Sequence, residues 1–295
     1  MKGLFIQWIP TLAIILILSM QIIFFILNKN FKNRNRRKPF GSKSLPSPGE
    51  SLRLKIEEIN VNLPLYLMLP TLTLLFFFSS YSFYKLYRGE IGWKPAEIFI
   101  ICFATISCLI YSIVKIIKLY NKRNCLQLGL EAERDVGEKL DRLRSYGCFV
   151  YHDFPAEGFN IDHILITKSG IFAIETKGRT KKTNLKKNWK VQFHDNKLIF
   201  PDKEETAPIK QAKRQAKWLS RFISQKIGRK ISVTAVLALP GWFLEIKQKP
   251  QNLLLTNGHN LDFLVKYNQE VINKNIMILI KDIIEQHCKN ASILH

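Results

Sequence analysis

The chain has 295 residues and carries 45 Lys and Arg against 23 Asp and Glu, a net charge of +22, yet 47% of it is apolar. So high an apolar share argues against a disordered basic tail, and five scattered cysteines with no C-x-x-C spacing argue against a disulfide scaffold or a thiolate zinc site. Charge and apolarity must therefore occupy different parts of the chain.

The apolar part comes first. Uncharged runs of 26 residues separate Lys2 from Lys29 and Glu58 from Lys85, and a third of 17 runs from Ile98 to Val114. At about 1.5 Å of rise per residue, each can cross a hydrocarbon core of about 30 Å, the third if Lys115 and Lys118 reach toward the surface. These runs predict membrane helices over 4–28, 62–84 and 97–117, within a membrane region 1–120. The first run is too long for the core of a signal peptide, and no small-residue cleavage site follows it. The alternative for the second and third is a buried helical hairpin of a soluble domain. A basic loop, 29–61, links the first two helices and includes a Pro/Ser/Gly stretch at 38–50 that reads as flexible. It carries nine basic residues against three between the second and third helices. The excess of positive charge in cytoplasmic loops then sets the N-terminus outside and the C-terminal domain in the cytoplasm, at a plasma or inner membrane.

From 121 onward the pattern changes to that of one α/β domain, 121–295. A helix is expected from Leu126 to Tyr146, then strands over Cys148–Asp153, Ile161–Thr167 and Ile171–Lys177, the last two joined at Lys168-Ser169-Gly170. A hairpin over Trp189–Phe200 follows, with its turn at Asp195-Asn196. A helix opens at Ala207-Pro208 and stops at Gly228. Strands at Ile231–Leu239 and Asn252–Thr256 and helical patterns from Asn260 and Val271 to Cys288 complete a mixed sheet flanked by helices.

Several acids break apolar patterns. Glu133 occupies the polar position of the series 126, 130, 133, 137, 140 and so points inward, which costs several kcal/mol (~) unless the carboxylate is paired or bound to a cation. Asp162 interrupts one strand, and Glu175 and Lys177 share a side of the next. A two-residue turn at Ser169-Gly170 would set Asp162 opposite Lys177, with all three side chains on one face, whereas a three-residue turn would flip Asp162 away. Carboxylates converging beside an ammonium can hold Mg²⁺ or Mn²⁺ for phosphoryl chemistry. A buried salt bridge with no metal is the alternative from spacing alone. His163 alternates away from Asp162 and reads as structural, and His152 and His194 read as surface or sheet residues without a partner. Gln215, Trp218 and Phe222 read as helix edge and packing.

The order Gly129-x-x-Ala132-Glu133-x-x-Val136-Gly137, then Ile161-Asp162-His163, then Gly170-Ile-Phe-Ala-Ile-Glu175-Thr-Lys177, then Ala207-Pro208-x-x-Gln211 resembles the nuclease-related domain (NERD) family, within the PD-(D/E)xK nuclease superfamily. The resemblance covers roughly 125–285. It implies a restriction-endonuclease-like mixed central sheet and a metal-dependent phosphodiesterase. Asp162 and Glu175 would be the metal ligands, Lys177 the catalytic lysine, Glu133 the helical acid and Gln211 a polar residue borne by the second helix. Ala132 and Ala207 depart from the family's usual Gly and Asn.

The soluble part holds +12 of the net charge, from 30 basic and 18 acidic residues after 120. Residues 176–194 hold seven basic side chains and 206–244 eight, and neither block contains an acid. Solvated faces normally mix signs, so these blocks fit a polyanion. Arg179, Lys181, Lys182, Lys186, Lys187, Lys210, Lys213, Arg214 and Lys217 are the candidates to bind a nucleic-acid backbone without sequence preference. The expectation is a membrane-anchored, Mg²⁺- or Mn²⁺-dependent nuclease acting on nucleic acid, DNA favoured. Its alternative is a catalytically silent membrane adaptor that binds nucleic acid or anionic lipid.

Overall fold

A computed structural model describes residues 45–90, 92, 94–181, 189–267 and 272–291. The expected span at 4–28 and the basic residues Lys182, Lys186 and Lys187 lie outside the described residues. The chain divides into two compact units, one holding 57–123 and the other holding 45–56 together with 124–291.

The first unit is a helical hairpin. Helix α1 (Glu50–Arg88) and helix α2 (Pro95–Arg142) run antiparallel within it. Asn60 meets Arg123 at 2.9 Å, Thr73 meets Cys108 at 3.2 Å, and Lys85 pairs with Glu97 at 2.9 Å beside the connecting turn. Both helices are long and apolar enough to cross a membrane. Their apolar side chains, among them Phe76, Phe99 and Phe103, face outward. Two boundaries differ from the sequence expectation. Residues 50–61, expected in a loop, are helical, because Gly49 takes a left-handed φ of 70° and the chain turns into α1 with Ser47 bonded to Glu50 at 2.6 Å. Nothing breaks the helix between the apolar run at 98–114 and Glu133, so α2 is a single helix of 48 residues.

In the second unit, α2 ends in a short 3-10 turn, Leu143–Tyr146, capped by Gly147. Strands β1 (Phe149–Ala156), β2 (Phe159–Thr167) and β3 (Gly170–Thr176) form an antiparallel meander. Helix α3 (Ala207–Ile227) crosses over to β7 (Val233–Ala238), which pairs parallel with β3, and β9 (Leu254–Thr256) adds to β7. This gives a five-stranded mixed sheet in the order β1-β2-β3-β7-β9. The single sheet expected from sequence is in fact two. Strands β4 (Lys190–His194), β5 (Lys197–Ile199), β6 (Glu204–Glu205) and β8 (Phe243–Ile246) form a separate four-stranded sheet. Its β4–β8 pairing is parallel and joins segments some fifty residues apart, which no local pattern announces. A 3-10 turn at Asp262–Leu264 and helix α4 (Lys274–Ala291) complete the chain.

Helices cover both faces of the five-stranded sheet. Val136, Leu140 and Leu143 of α2 and its extension pack on Val150, Leu165, Phe172 and Ile174. On the opposite face, Ile209, Ala212, Ala216 and Leu219 of α3 pack with Ile164, Ile166, Ile171 and Ala173. The site described below lies between these two layers. Trp218 and Phe222 stack with ring centroids 5.2 Å apart and close on Phe154, as the packing role expected of them requires. Phe154 is fully buried among these rings and His287. Phe154→Ala should therefore lower the stability of this unit by about 3–5 kcal/mol. Urea denaturation followed by tryptophan fluorescence checks this, and a loss below about 1 kcal/mol would contradict the packing described.

Candidate active site

The β2–β3 register brings the site together. Thr167 pairs with Gly170, so the turn is Lys168-Ser169, one residue earlier than expected, which moves the pairing register by two. Ser169 fixes it there: it is buried and donates its hydroxyl to the carbonyls of Leu264 and Val265 at 3.0 and 2.8 Å. One step beyond the last ladder pair, His163 with Ile174, Asp162 therefore stands opposite Glu175 rather than Lys177. The parity of the turn is as expected, and Asp162, Glu175 and Lys177 line one cavity.

A further acid joins them from β1. Between the pairs His152–His163 and Phe154–Ile161, the residue opposite Asp162 is Asp153. Asp153, Asp162 and Glu175 thus form a row across three adjacent strands. Asp153 adopts a left-handed φ of 47°, and strand alternation resets there: Tyr151 and Phe154, three apart, both enter the α3-side core. That reset hid Asp153 from a period-two reading of the sequence. Its carboxylate accepts hydrogen bonds from the Asn160 amide at 2.7 Å and from the backbone N–H of Ser51.

Each remaining acid has its own supports. Asp162 accepts the backbone N–H of Thr176 at 2.7 Å, taking a donor that the end of the ladder leaves open. Glu175 is 1% exposed and binds the Lys177 ammonium on one oxygen and the Gln215 side-chain amide at 2.5 Å on the other. Gln215 is wholly buried and also donates to the Asn160 carbonyl at 3.1 Å, so the residue expected on the helix edge holds Glu175 in place. Glu133 comes down from α2. The strand end can approach α2 because residue 178 is glycine; a Cβ there would stand 2.7 Å from the Leu128 carbonyl oxygen. Together with Lys55, Asn160 and Gln211, these groups enclose about 430 Å³.

The electrostatics follow from crowding. Burial, followed by the negative charges of Asp153 and Glu175, pushes the Glu133 carboxyl up to about 8, with Lys177 and Lys55 acting in the opposite direction. Burial, then Glu175 and Glu133, holds Asp162 well above the usual carboxylate range. Carboxyls in this condition favour either a shared proton or a cation. Among the described residues, no group of three or more His, Cys, Asp or Glu side chains is placed to hold a metal ion. Magnesium needs only one or two carboxylates and completes its shell with water, and Asp162 and Glu175 are the two that could serve.

The histidines stand apart from the cavity. His163 and His152 are buried and share a hydrogen bond between their Nδ1 atoms at 2.8 Å, and His152 reaches Asp141 at 3.2 Å through Nε2. His152 thus has the partner that sequence did not reveal. Burial holds His163 well below the ordinary imidazole range. His194 is half-exposed beside Asp195.

The basic side chains expected to bind a nucleic-acid backbone differ in how far they are free. Lys210, Arg214 and Lys217 are exposed along one side of α3, and the Arg214 guanidinium lies 5.5 Å from the ring centre of Phe159, which lines the cavity. Lys213 lies 3.4 Å from Asn196. Lys181 sits over Trp242 at 5.6 Å. Arg179 is engaged by Glu205 through two of its nitrogens, the shorter contact being 2.7 Å.

Residues 128–240 match the family model described as nuclease-related domain, NERD. That span takes in Glu133, Asp153, Asp162, Glu175, Lys177, Gln211 and Gln215. No curated protein and no solved structure matches the chain.

The raised Glu133 carboxyl gives a pH-dependent prediction. Folding favours its protonated form, so the contribution is favourable below the ordinary value of 4.5 and is lost as pH rises from there through about 8. Glu133→Gln mimics the protonated form. It should leave the melting temperature of the metal-free protein nearly unchanged at a pH below 4.5 and raise it by several degrees above 8. Equal shifts at both pH values would contradict the burial of charge at this position.

Proposed function

We propose that the protein is a membrane-anchored nuclease that hydrolyses phosphodiester bonds of nucleic acid, DNA in the first instance, with Mg²⁺ or Mn²⁺ as cofactor. The observation that carries this reading is the convergence of Asp162, Glu175 and Lys177 with Glu133 and Gln211 on one cavity, within the span that matches the nuclease-related domain. Nuclease-like function accords with that match, and the two apolar helices ahead of the domain accord with a membrane anchor.

In this reading Asp162 and Glu175 hold the divalent cation, which when bound supplies Lewis acidity and lowers the pKa of water. The residues around it have separable tasks. Gln215 and Lys177 fix the rotamer of Glu175, so its carboxylate is oriented before any ligand arrives. The backbone N–H of Thr176 orients Asp162 in the same way. The Lys177 ammonium lies at the cavity wall, where it can hold a non-bridging phosphate oxygen as charge builds in the transition state. Glu133, whose carboxyl is pushed up to about 8, keeps its proton at neutral pH and can donate a hydrogen bond within the cavity. Lys210, Arg214 and Lys217 run from the cavity mouth along α3 and attract the backbone without reading bases.

Plasmid cleavage by the full chain in detergent, with Mg²⁺ or Mn²⁺, tests the proposal. The wild type should convert supercoiled DNA, EDTA should stop it, and Asp162→Ala and Lys177→Ala should each reduce the rate by about 100-fold or more. Equal cleavage by wild type and Asp162→Ala would reject the mechanism. Salt-sensitive DNA binding without cleavage by the wild type would point to the silent adaptor.

A further inference from the structure

The cavity has a wall that lies outside the matched domain. Residues 45–56 belong to the same compact unit as the acids, although 57–123 separate them from it in sequence. This segment is closely seated on α2. A Cβ at Gly137 would stand 2.6 and 2.8 Å from the ring atoms of Pro48, and one at Gly129 would stand 3.1 Å from Leu52. At Gly49 a Cβ would come within 2.5 Å of the Leu130 side chain. Beyond this, the backbone N–H of Ser51 is bonded to Asp153, one member of the acid row. One helical turn later, on the same face, the exposed side chain of Lys55 lines the cavity with Glu133, Asp162, Glu175 and Lys177.

The charge balance gives this placement a use. Four carboxylates face a cavity that must admit a phosphodiester, and two ammonium groups, Lys55 and Lys177, stand among the residues lining it. Lys177 is paired with Glu175. Lys55 is four residues from the Ser51–Asp153 hydrogen bond, and its charge is felt at Glu133.

We infer that residues 45–56 are a working part of the nucleic-acid site, with Lys55 binding a backbone phosphate next to the acid row. This rests on the nuclease reading for its substrate class, but it assigns a binding residue that the matched domain does not contain. The seat of Pro48 on Gly137 sets the position of Lys55. A fragment beginning at residue 121 lacks this wall and is an incomplete site.

The test uses the full chain in detergent and a fluorescein-labelled DNA duplex, with Ca²⁺ replacing Mg²⁺ so that binding is read without turnover. Affinity is measured across a series of salt concentrations. Lys55→Gln should weaken binding several-fold and lower the slope of log affinity against log salt by about 1, the signature of one lost phosphate contact. Lys55→Arg should retain both. Gly137→Ala, which displaces Pro48 while leaving Lys55 in the chain, should reproduce the Lys55→Gln loss, and the double variant should lose no more than either alone. Lys55→Gln with wild-type affinity and slope would overturn the inference whether or not the protein cleaves DNA. A Gly137→Ala variant with the wild-type slope would overturn the role of the seat. Binding that depends on Lys55 in a wild type that never cleaves would keep the inference and sink the nuclease reading. A wild type that binds no DNA would sink both.

Discussion

Four carboxylates, Glu133, Asp153, Asp162 and Glu175, share one cavity between two layers of helix, and the structure around them is an answer to their mutual repulsion. Like charges withdrawn from water raise one another's pKa and oppose folding unless donors, protons or cations intervene. Three of the four acids have such donors or cations. The Thr176 N–H serves Asp162, Gln215 and Lys177 serve Glu175, and Asn160 and the Ser51 N–H serve Asp153. Glu133 has the least support, and burial with the neighbouring acids pushes its carboxyl up to about 8. Negative charge concentrated in this way is what the proposed function turns to use, since a divalent cation would relieve the repulsion.

The supports come from every part of the unit. The sheet supplies the acid row, α2 supplies Glu133, α3 supplies Gln211 and Gln215, and the first turns of α1 supply Ser51 and Lys55. Close backbone approaches hold these parts in register, above all that of Gly178 to Leu128 and that of Gly137 to Pro48. Such contacts are intolerant of a methyl group, which explains why glycine stands at these positions in otherwise helix- and strand-forming sequence.

How much of this could be read from sequence depends on the range of the interaction. Helix α3 was legible to the residue, Ala207 to Ile227, because a proline at its start and a left-handed glycine at 228 are local signals. Asp162, Glu175 and Lys177 were legible because an acid or lysine in an apolar strand is conspicuous and a two-residue turn preserves parity, even though the turn lies one residue earlier than expected. Asp153 was not, because its left-handed conformation resets the alternation on which a strand reading depends. Gln215 looked like the polar margin of an amphipathic helix; only the depth of the cavity shows that the margin is buried. Ser51 and Lys55 follow directly on the Pro, Ser and Gly stretch, in the expected loop 29–61, and their place is decided by tertiary contacts about a hundred residues away in sequence. The second sheet was missed for the same reason, since β8 finds β4 across the whole of α3 and β7.

In the proposed function everything turns on Asp162 and Glu175 as a divalent-cation site. Mn²⁺ binding to the full chain, followed by the loss of the free-ion electron paramagnetic resonance signal, tests it independently of any substrate. The account predicts saturable binding that is lost in Asp162→Asn and in Glu175→Gln while both variants keep the wild-type fold by circular dichroism. Unchanged Mn²⁺ affinity in either variant would contradict it.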